Sequence, residues 1–386
     1  MRILTALTYY RPHISGLTIY TERLAKALAQ RGHQVTILTS QFDASTPRYE
    51  VMDGVKIIRA PVVVRISKGV IMPTIGFLAT RLVLENEVIH LHLPQFDAAG
   101  IALRGRLLKR PTVLTYHCDL KLPPGLFNRL ANQAVKLMNH LAALSAHRIV
   151  TYTQDYADHS PYTLRYHQKV RTILPPVELD PASPEEIKQF AKAHDLGERT
   201  PVIGMAARFA AEKGVEVLLE ALPKVLQVYP NSKVLYAGQY REVLGEEDYA
   251  RRLFPLIERY KNKGQWEFLG VLNPDQIAAY YSNLDVLVVP SLNSTESFGL
   301  VQIEAMMNGA PVIASDLPGV RQPTAITGMG MTFPVGDSES LARTLLSLLA
   351  EPQTVKANPE EIRSRFKPDN TAAAYEILYE EIKSQL

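Results

Sequence analysis

The chain predicts an α/β architecture with doubly wound parallel sheets in two domains, on three observations. Short β-rich apolar runs alternate with segments of helical period along the whole length, the pattern of βαβ units. The 386 residues are long for one core, against about 150 residues per domain. A proline cluster, Pro175, Pro176, Pro181 and Pro184, interrupts the pattern with residues that continue neither a helix nor a central strand. The predicted division is a first domain over residues 1–180 and a second over 181–370, followed by a helix over 371–386.

Element by element, Arg2–Leu7 reads as a buried opening strand. Thr18–Gln30 has helical period and stops before Gly32, a residue suited to a helix C-terminus. Gln34–Thr39, Val88–His92, Thr112–Tyr116 and Arg148–Thr151 are the further strands of the first half. The stretch Pro61–Met72 reads as an apolar loop available to an acceptor or a lipid. Between Gly125 and Ser145, Leu126, Leu130, Ala134, Leu137, Leu141 and Leu144 recur at helical spacing, with Arg129, Lys136 and His140 elsewhere. A core-facing helix is the preferred reading there and a membrane-surface face the alternative. In the second half the strands are Val202–Ala207, Lys233–Ala237, Trp266–Leu269, Val286–Val289 and Pro311–Ala314, and the helix Val215–Val228 stops before Pro230. The last helix, about Thr371–Gln385, fits against either half.

Hydrophobic residues are 46% and charged residues 21%, which excludes disordered and fibrous classes. The single cysteine, Cys118, excludes an intramolecular disulfide and a cysteine-cluster zinc site. No uncharged apolar run approaches the roughly 18 residues of a spanning helix, and the N-terminus has no secretory pattern, so the expected location is the cytosol. The net charge of +3 speaks for no nucleic-acid partner. It averages two unlike halves: residues 1–180 hold 22 Lys and Arg against 12 Asp and Glu, while 181–386 hold 20 against 27. Opposite fields suggest different partners.

Three stretches carry candidate chemistry. The first is the loop from Thr8 to Leu17, where Gly16 opens a helix whose free N–H groups suit an anion; an ordinary strand-to-helix turn is the alternative. It lacks G-x-G-x-x-G, which argues against a nicotinamide enzyme. The second is Gly204-Met205-Ala206-Ala207-Arg208 followed by Glu212-Lys213-Gly214. Arg208 and Lys213 fall at a strand's C-terminal end, where open α/β sheets bind ligands, and either grip a diphosphate or salt-bridge locally. The third runs from Pro290 to Met306. Were the intervening residues all helical, Glu296 and Glu304 would stand about 12 Å apart along the axis, too far for a glycosidase pair and suited to the two ends of an extended ligand. The N–H groups near Phe298, Gly299 and Leu300 favour an anion between them.

Glu296-x7-Glu304, the Arg208 and Lys213 pair, the Gly16 loop, Thr115-Tyr116-His117 and Ala314-Ser315-Asp316-Leu317-Pro318-Gly319 together resemble a family 4 glycosyltransferase of GT-B fold, over almost the whole chain. The resemblance implies two Rossmann-like, doubly wound domains facing each other across a cleft. The first would bind the acceptor and be joined by the C-terminal helix; the second would bind a nucleotide-diphosphate sugar. It further implies that Arg208 and Lys213 hold the diphosphate as leaving group and that Glu304 binds the ribose diol. Glu296, with the backbone of Ser297, Phe298, Gly299 and Leu300, would place the sugar hydroxyls. Val271 and Leu272 would line the base, and His117 would stand near the anomeric centre or the 6-hydroxyl. The family often carries Gly-Gly in the first loop where this chain has Ser15-Gly16.

The expected activity is therefore retaining transfer of a hexose from a UDP- or GDP-sugar to a hydroxyl acceptor, either a cell-envelope glycan precursor or, as the basic first half suggests, an anionic or lipid-linked one, with peripheral membrane contact. No metal or other cofactor is expected. A nucleotide-sugar epimerase of the same architecture and a non-catalytic sugar-nucleotide binder are the alternatives. His90 and His92 point the same way along one strand and read as structural, and Cys118 as a core thiol.

Overall fold

The computed structural model of the chain describes residues 1–66, 69–120, 126–197, 199–355 and 357–386, with only the backbone of Ile66 and of residues 126–128. Ser67, Lys68, Gly125 and the Leu126 side chain of the stretches singled out above thus lie outside the description. The chain forms two compact units, Met1–Pro176 with Phe366–Leu386, and Val177–Arg365.

The first unit contains β1 (Arg2–Ala6), β2 (Gln34–Gln41), β3 (Tyr49–Met52), β4 (Val55–Pro61), β5 (Val64–Ile66), β6 (Gly69–Ile71), β7 (Val88–Leu93), β8 (Thr112–Tyr116), β9 (Arg148–Thr151) and β10 (Val170–Thr172). Eight of them form one sheet in the order β10-β9-β8-β7-β1-β2-β4-β3. Its pairings are parallel except β3 with β4. Parallel neighbours need crossovers, supplied by the helices Gly16–Gln30, Ile75–Glu85, Ala98–Leu107 and Leu126–Ser145. The core joins Leu4, Ala6, Leu91 and Leu114 of the sheet to Leu82, Ile101, Ala102 and Ala142 of the helices. Strand order reverses at β1, so the loops leaving β1 and β7 border the position at which such sheets receive ligands.

The helix Pro368–Lys383 closes the other side of this unit against Gly16–Gln30. Its tyrosines enter a buried polar chain: Tyr375 meets the Tyr20 hydroxyl at 2.9 Å and Thr115 Oγ1 at 2.6 Å, and Tyr379 meets His90 Nδ1 at 2.8 Å. At the surface Arg31 holds both Asp369 and Glu376 at 2.7 Å.

In the second unit β11 (Val202–Ala206), β12 (Lys233–Ala237), β13 (Trp266–Gly270), β14 (Val286–Val289), β15 (Val312–Ser315) and β16 (Gly330–Phe333) form one sheet. The order is β13-β12-β11-β14-β15-β16 and every pairing is parallel. The order reverses between β11 and β14. The loops after these two strands, Ala207–Gly214 and Pro290–Gly299, therefore lie at the switch point.

Several expectations need correction. Pro61–Met72 is not a loop: β4 runs to Pro61, and β5 and β6 pair as an antiparallel hairpin. The helix Leu126–Ser145 does not turn its leucines inward. Ala142 and Ala143 are buried, while Leu130, Leu137, Leu141 and Leu144 are exposed, because small residues let the helix lie close to its neighbour Ala98–Leu107. Cys118 follows the end of β8 and is half-buried, not a core thiol. β3, β4, β10 and β16 escape the sequence pattern. β3 is an edge strand whose residues alternate between exposed and half-buried, and β4 carries Arg59, buried through bonds to Glu50 and to the carbonyls of Pro47 and Arg11.

His90, His92 and His117 are buried. Burial pushes His90 and His117 down to about 3, and burial with its two histidine neighbours pushes His92 well below the usual imidazole range. Neutral in the folded unit, these rings take up protons on unfolding below about pH 6.5. Their contribution to stability is therefore complete above that value and is lost as pH falls toward 3, with a limiting slope for three protons of about 4 kcal/mol per pH unit. Urea unfolding should show a falling midpoint between pH 7 and pH 5; a pH-independent midpoint would mean that these rings ionise inside the fold.

Candidate functional site

The loop after β11 begins with Ala207 and Arg208, passes through the turn Ala211–Lys213 and ends at Gly214, which caps the helix Val215–Val228 at φ +67°. Only glycine fits there. A Cβ on Gly214 would stand 2.1 Å from the Pro290 carbonyl oxygen, besides occupying the left-handed region. The two switch-point loops thus meet backbone to backbone, and the Leu292 N–H donates to the Glu212 carbonyl at 2.9 Å.

That approach brings Lys213 to Glu296, Nζ to Oε2 at 2.5 Å, with both side chains about one-fifth exposed. A turn aims Glu296: Asn293 Oδ1 accepts from the Thr295 N–H at 3.0 Å and from its hydroxyl at 2.7 Å, and the Glu296 N–H donates to the Asn293 carbonyl at 3.2 Å. Arg208 pairs with Glu212 at 3.0 Å and keeps its side chain 46% exposed. Each cation thus stands beside one carboxylate, oriented and still able to donate further bonds.

Gly299, at φ +80°, caps the helix Leu300–Met307. Glu296 to Gly299 lie before this helix, so the 12 Å separation expected of an unbroken helix does not apply. The Phe298 ring is 1% exposed and Ser297 4%; this stretch presents mainly backbone. Buried Gln302 fastens it by donating to the carbonyls of Phe298 at 2.8 Å and Val320 at 2.9 Å. Half-buried Glu304 accepts from the Tyr281 hydroxyl at 3.3 Å. Val271, 64% exposed, and half-buried Leu272 follow Gly270 at the end of β13, where the Gly270 carbonyl accepts from Gly238 N–H at 2.7 Å.

The first unit holds the other two candidates. Gly16 begins the helix Gly16–Gln30, behind Ser15, whose Oγ accepts from the Thr18 N–H at 3.2 Å. Among the described residues, beyond its chain neighbours and its own helix backbone, no atom lies within 4 Å of where a Gly16 Cβ would stand, so packing among them does not require glycine there. His117 follows β8, its N–H donating to the Leu93 carbonyl at 3.0 Å. Its Nε2 meets His92 Nδ1 at 2.9 Å and its Nδ1 meets the Tyr152 hydroxyl. In the loop after β7, burial pushes the carboxyl of Asp97 up to about 6.

Sequence reasoning missed Tyr281, His92, Tyr152 and Asp97 as members of these edges. Gly214 was the most legible omission, since glycine between a cation and a helix start marks a left-handed cap. Among the described residues no group of three or more His, Cys, Asp or Glu is placed to hold a metal ion. Gly214→Ala should destabilise the second unit by about 2 kcal/mol or more, through strain and displacement of the Pro290 loop. An unchanged melting curve would show that the loops separate at no cost.

Residues 186–367 match the family described as Glycosyl transferases group 1, and residues 15–174 match the Glycosyl transferase 4-like domain. The chain is 29% identical over 339 residues to an uncharacterized glycosyltransferase of Methanocaldococcus jannaschii, covering 83% of this chain and 82% of that one. It is 26% identical over 340 residues to a phosphatidyl-myo-inositol mannosyltransferase of Mycobacterium leprae, covering 86% and 83%. Among solved structures, Anabaena HepE in complex with UDP-glucose aligns with a TM-score of 0.76 at 19% identity, over 100% of both chains, a likeness of fold. Two Rossmann-like parallel sheets, with both family matches falling in order along them, make this chain a member of the family 4 glycosyltransferases with the GT-B fold.

Proposed function

We propose that the enzyme transfers a hexose, with retention and without a metal, from a UDP- or GDP-sugar to the hydroxyl of an anionic or lipid-linked acceptor. The observation that carries this reading is the Lys213–Glu296 contact at the switch point with Arg208 beside it. Departure of a nucleoside diphosphate builds negative charge on phosphate oxygens. Fixed cations stabilise that charge more in the transition state than in the ground state. In this reading Arg208 forks onto the diphosphate and Lys213 shares its ammonium between phosphate and Glu296. The N–H groups at Gly299 and Leu300 add a partial positive charge. Glu296 orients sugar hydroxyls, Glu304 takes the ribose diol, and Val271 and Leu272 border the base. With the phosphate itself receiving the acceptor's proton, attack and departure occur on one face of the sugar. Binding of UDP-glucose by a protein of the same fold supports a nucleotide-sugar donor.

Glu304→Ala should weaken donor binding by about 1.5–3 kcal/mol, the usual worth of bonds to a charged group, roughly tenfold to a hundredfold. Calorimetry with UDP- and GDP-sugars measures it, and an unchanged dissociation constant removes Glu304 from the site. Donor turnover with acceptor should release nucleotide, give a product of unchanged anomeric configuration and tolerate EDTA. An epimerised donor without free nucleotide would instead identify an epimerase, and binding without turnover a sugar-nucleotide binder.

For the acceptor we propose an anionic lipid surface, met by the outer side of the first unit. The helices Ile75–Glu85, Ala98–Leu107 and Leu126–Ser145 pack side by side. They expose Leu84, Leu103, Leu107, Leu130, Leu137 and Leu144 at 49–71%, among exposed Arg106, Lys109, Arg129 and Lys136. Leucines interleaved with cations suit an interface between acyl chains and anionic headgroups. No helix among the described residues is long and apolar enough to cross a membrane. The chain should float with vesicles containing phosphatidylglycerol more than with phosphatidylcholine alone, and Leu137→Glu with Leu144→Glu should abolish the difference. Flotation indifferent to anionic lipid would defeat the membrane reading.

A further inference from the structure

His117 stands in a buried ring cluster whose protons can be counted. In the β7–β8 register His92 lies opposite Thr115, two residues before His117. The rings of His92 and His117 meet Nδ1 to Nε2 at 2.9 Å, with centroids 5.1 Å apart. Tyr152, just past β9, takes the other nitrogen of His117. Tyr20 covers the group from the helix Gly16–Gln30, edge-on to His117 at 5.0 Å and tilted over Tyr152 at 5.3 Å. His90 stacks on His92 at 4.5 Å and is itself bonded by Tyr379 and Thr115. The titratable groups facing this pair in these contacts are His90, Tyr20 and Tyr152, with Tyr375 and Tyr379 behind them against His90; no carboxylate or cation is among these contacts.

His92 Nε2 is buried and has no hydrogen-bond partner among the described residues. That atom decides the proton arrangement. If His92 carries its proton on Nδ1, it donates to His117 Nε2, His117 carries its own on Nδ1 toward Tyr152, and the unmatched site is a lone pair. If His117 carries a proton on Nε2, whether as the other neutral tautomer or as imidazolium, the His92 proton moves to its Nε2 and becomes a buried N–H with no acceptor. Unmatched buried N–H groups are the rarer and costlier defect. The same geometry therefore favours one tautomer and disfavours the charged ring, in line with the downward shift of His117 caused by burial.

We propose that His92 and Tyr152 are positioning residues that hold His117 in one orientation and in the Nδ1–H tautomer, so that His117 serves transfer as a fixed neutral group and not as the proton acceptor. The part concerning transfer rests on the proposed function; the clamp itself does not. With both ring nitrogens engaged, His117 takes a proton from an acceptor hydroxyl only by breaking the clamp, so that proton leaves by another route.

Nitrogen-15 NMR of the full-length enzyme should show His117 as a single neutral Nδ1–H tautomer from pH 7.5 to pH 5. His92→Leu removes the donor, and His117 should then exchange between tautomers or titrate nearer its ordinary value. His92→Asn returns an amide N–H near the place of the imidazole Nδ1 and should restore the wild-type signals. In kcat, His92→Leu should lose about tenfold to a hundredfold, the cost of a misplaced group, with donor KM changing less, and His92→Asn should recover most of it. An acid limb near pH 6 should appear in the His92→Leu rate profile only. If His92→Leu melts too low to assay, Tyr152→Phe tests the other end by the same signals. Wild-type His117 found charged or as Nε2–H at pH 7, or unchanged signals in both variants, would overturn the clamp. Full activity of His117→Ala with the tautomer pinned in wild type would support the clamp and overturn the role of His117 in transfer.

Discussion

The close approach of two backbones at Gly214 is the constraint on which the candidate donor site depends. One loop ends β11 and the other ends β14, and they come from distant parts of the sequence. They touch only because Gly214 has no Cβ to strike the Pro290 carbonyl. Once they touch, the reach of a lysine side chain suffices to place Lys213 on Glu296. The sheet's strand order brings the two loops side by side, and the glycine sets how closely their backbones approach. The two loops are thus held to each other by main chain, at Gly214 against the Pro290 carbonyl and through the Leu292 N–H on the Glu212 carbonyl.

The same geometry explains why part of this was legible in the sequence. Apolar runs of strand length and helices that stop at Gly32 and Pro230 are local signals, and the structure has elements at those places. The Glu296-to-Glu304 spacing suggested an unbroken helix, which the segment does not form, because the sequence does not show that Gly299 delays the helix to Leu300. The contacts of Tyr281 and His92 with the candidate residues Glu304 and His117 were illegible for another reason. Their partners lie 23 and 25 residues away, and only the packed fold brings each pair together. The leucines of Leu126–Ser145 illustrate the opposite failure. Their period is that of a helix, yet period says only that a stripe exists; the neighbouring alanines decide which side faces the sheet.

Charge divides along the same lines as structure. The excess of cations in residues 1–180 includes Arg106, Lys109, Arg129 and Lys136, all exposed. In the second half carboxylates outnumber cations, and the candidate cations Arg208 and Lys213 are each matched to a glutamate. Matching matters in an acidic unit: a lone ammonium would draw any nearby carboxylate, whereas a paired one keeps a defined place until a stronger anion competes for it.

The route of the chain adds a consequence for biosynthesis. Residues 177–365 form a unit of their own, whereas the first unit includes residues 366–386. Tyr375 and Tyr379 complete the buried chain that begins at Tyr20, Thr115 and His90. On the ribosome the second unit can therefore close while the first still lacks its final helix, leaving Tyr20 and His90 without their partners. The segment translated earliest is the last to be finished, and for most of its synthesis the basic, leucine-bearing half has to be kept from aggregating.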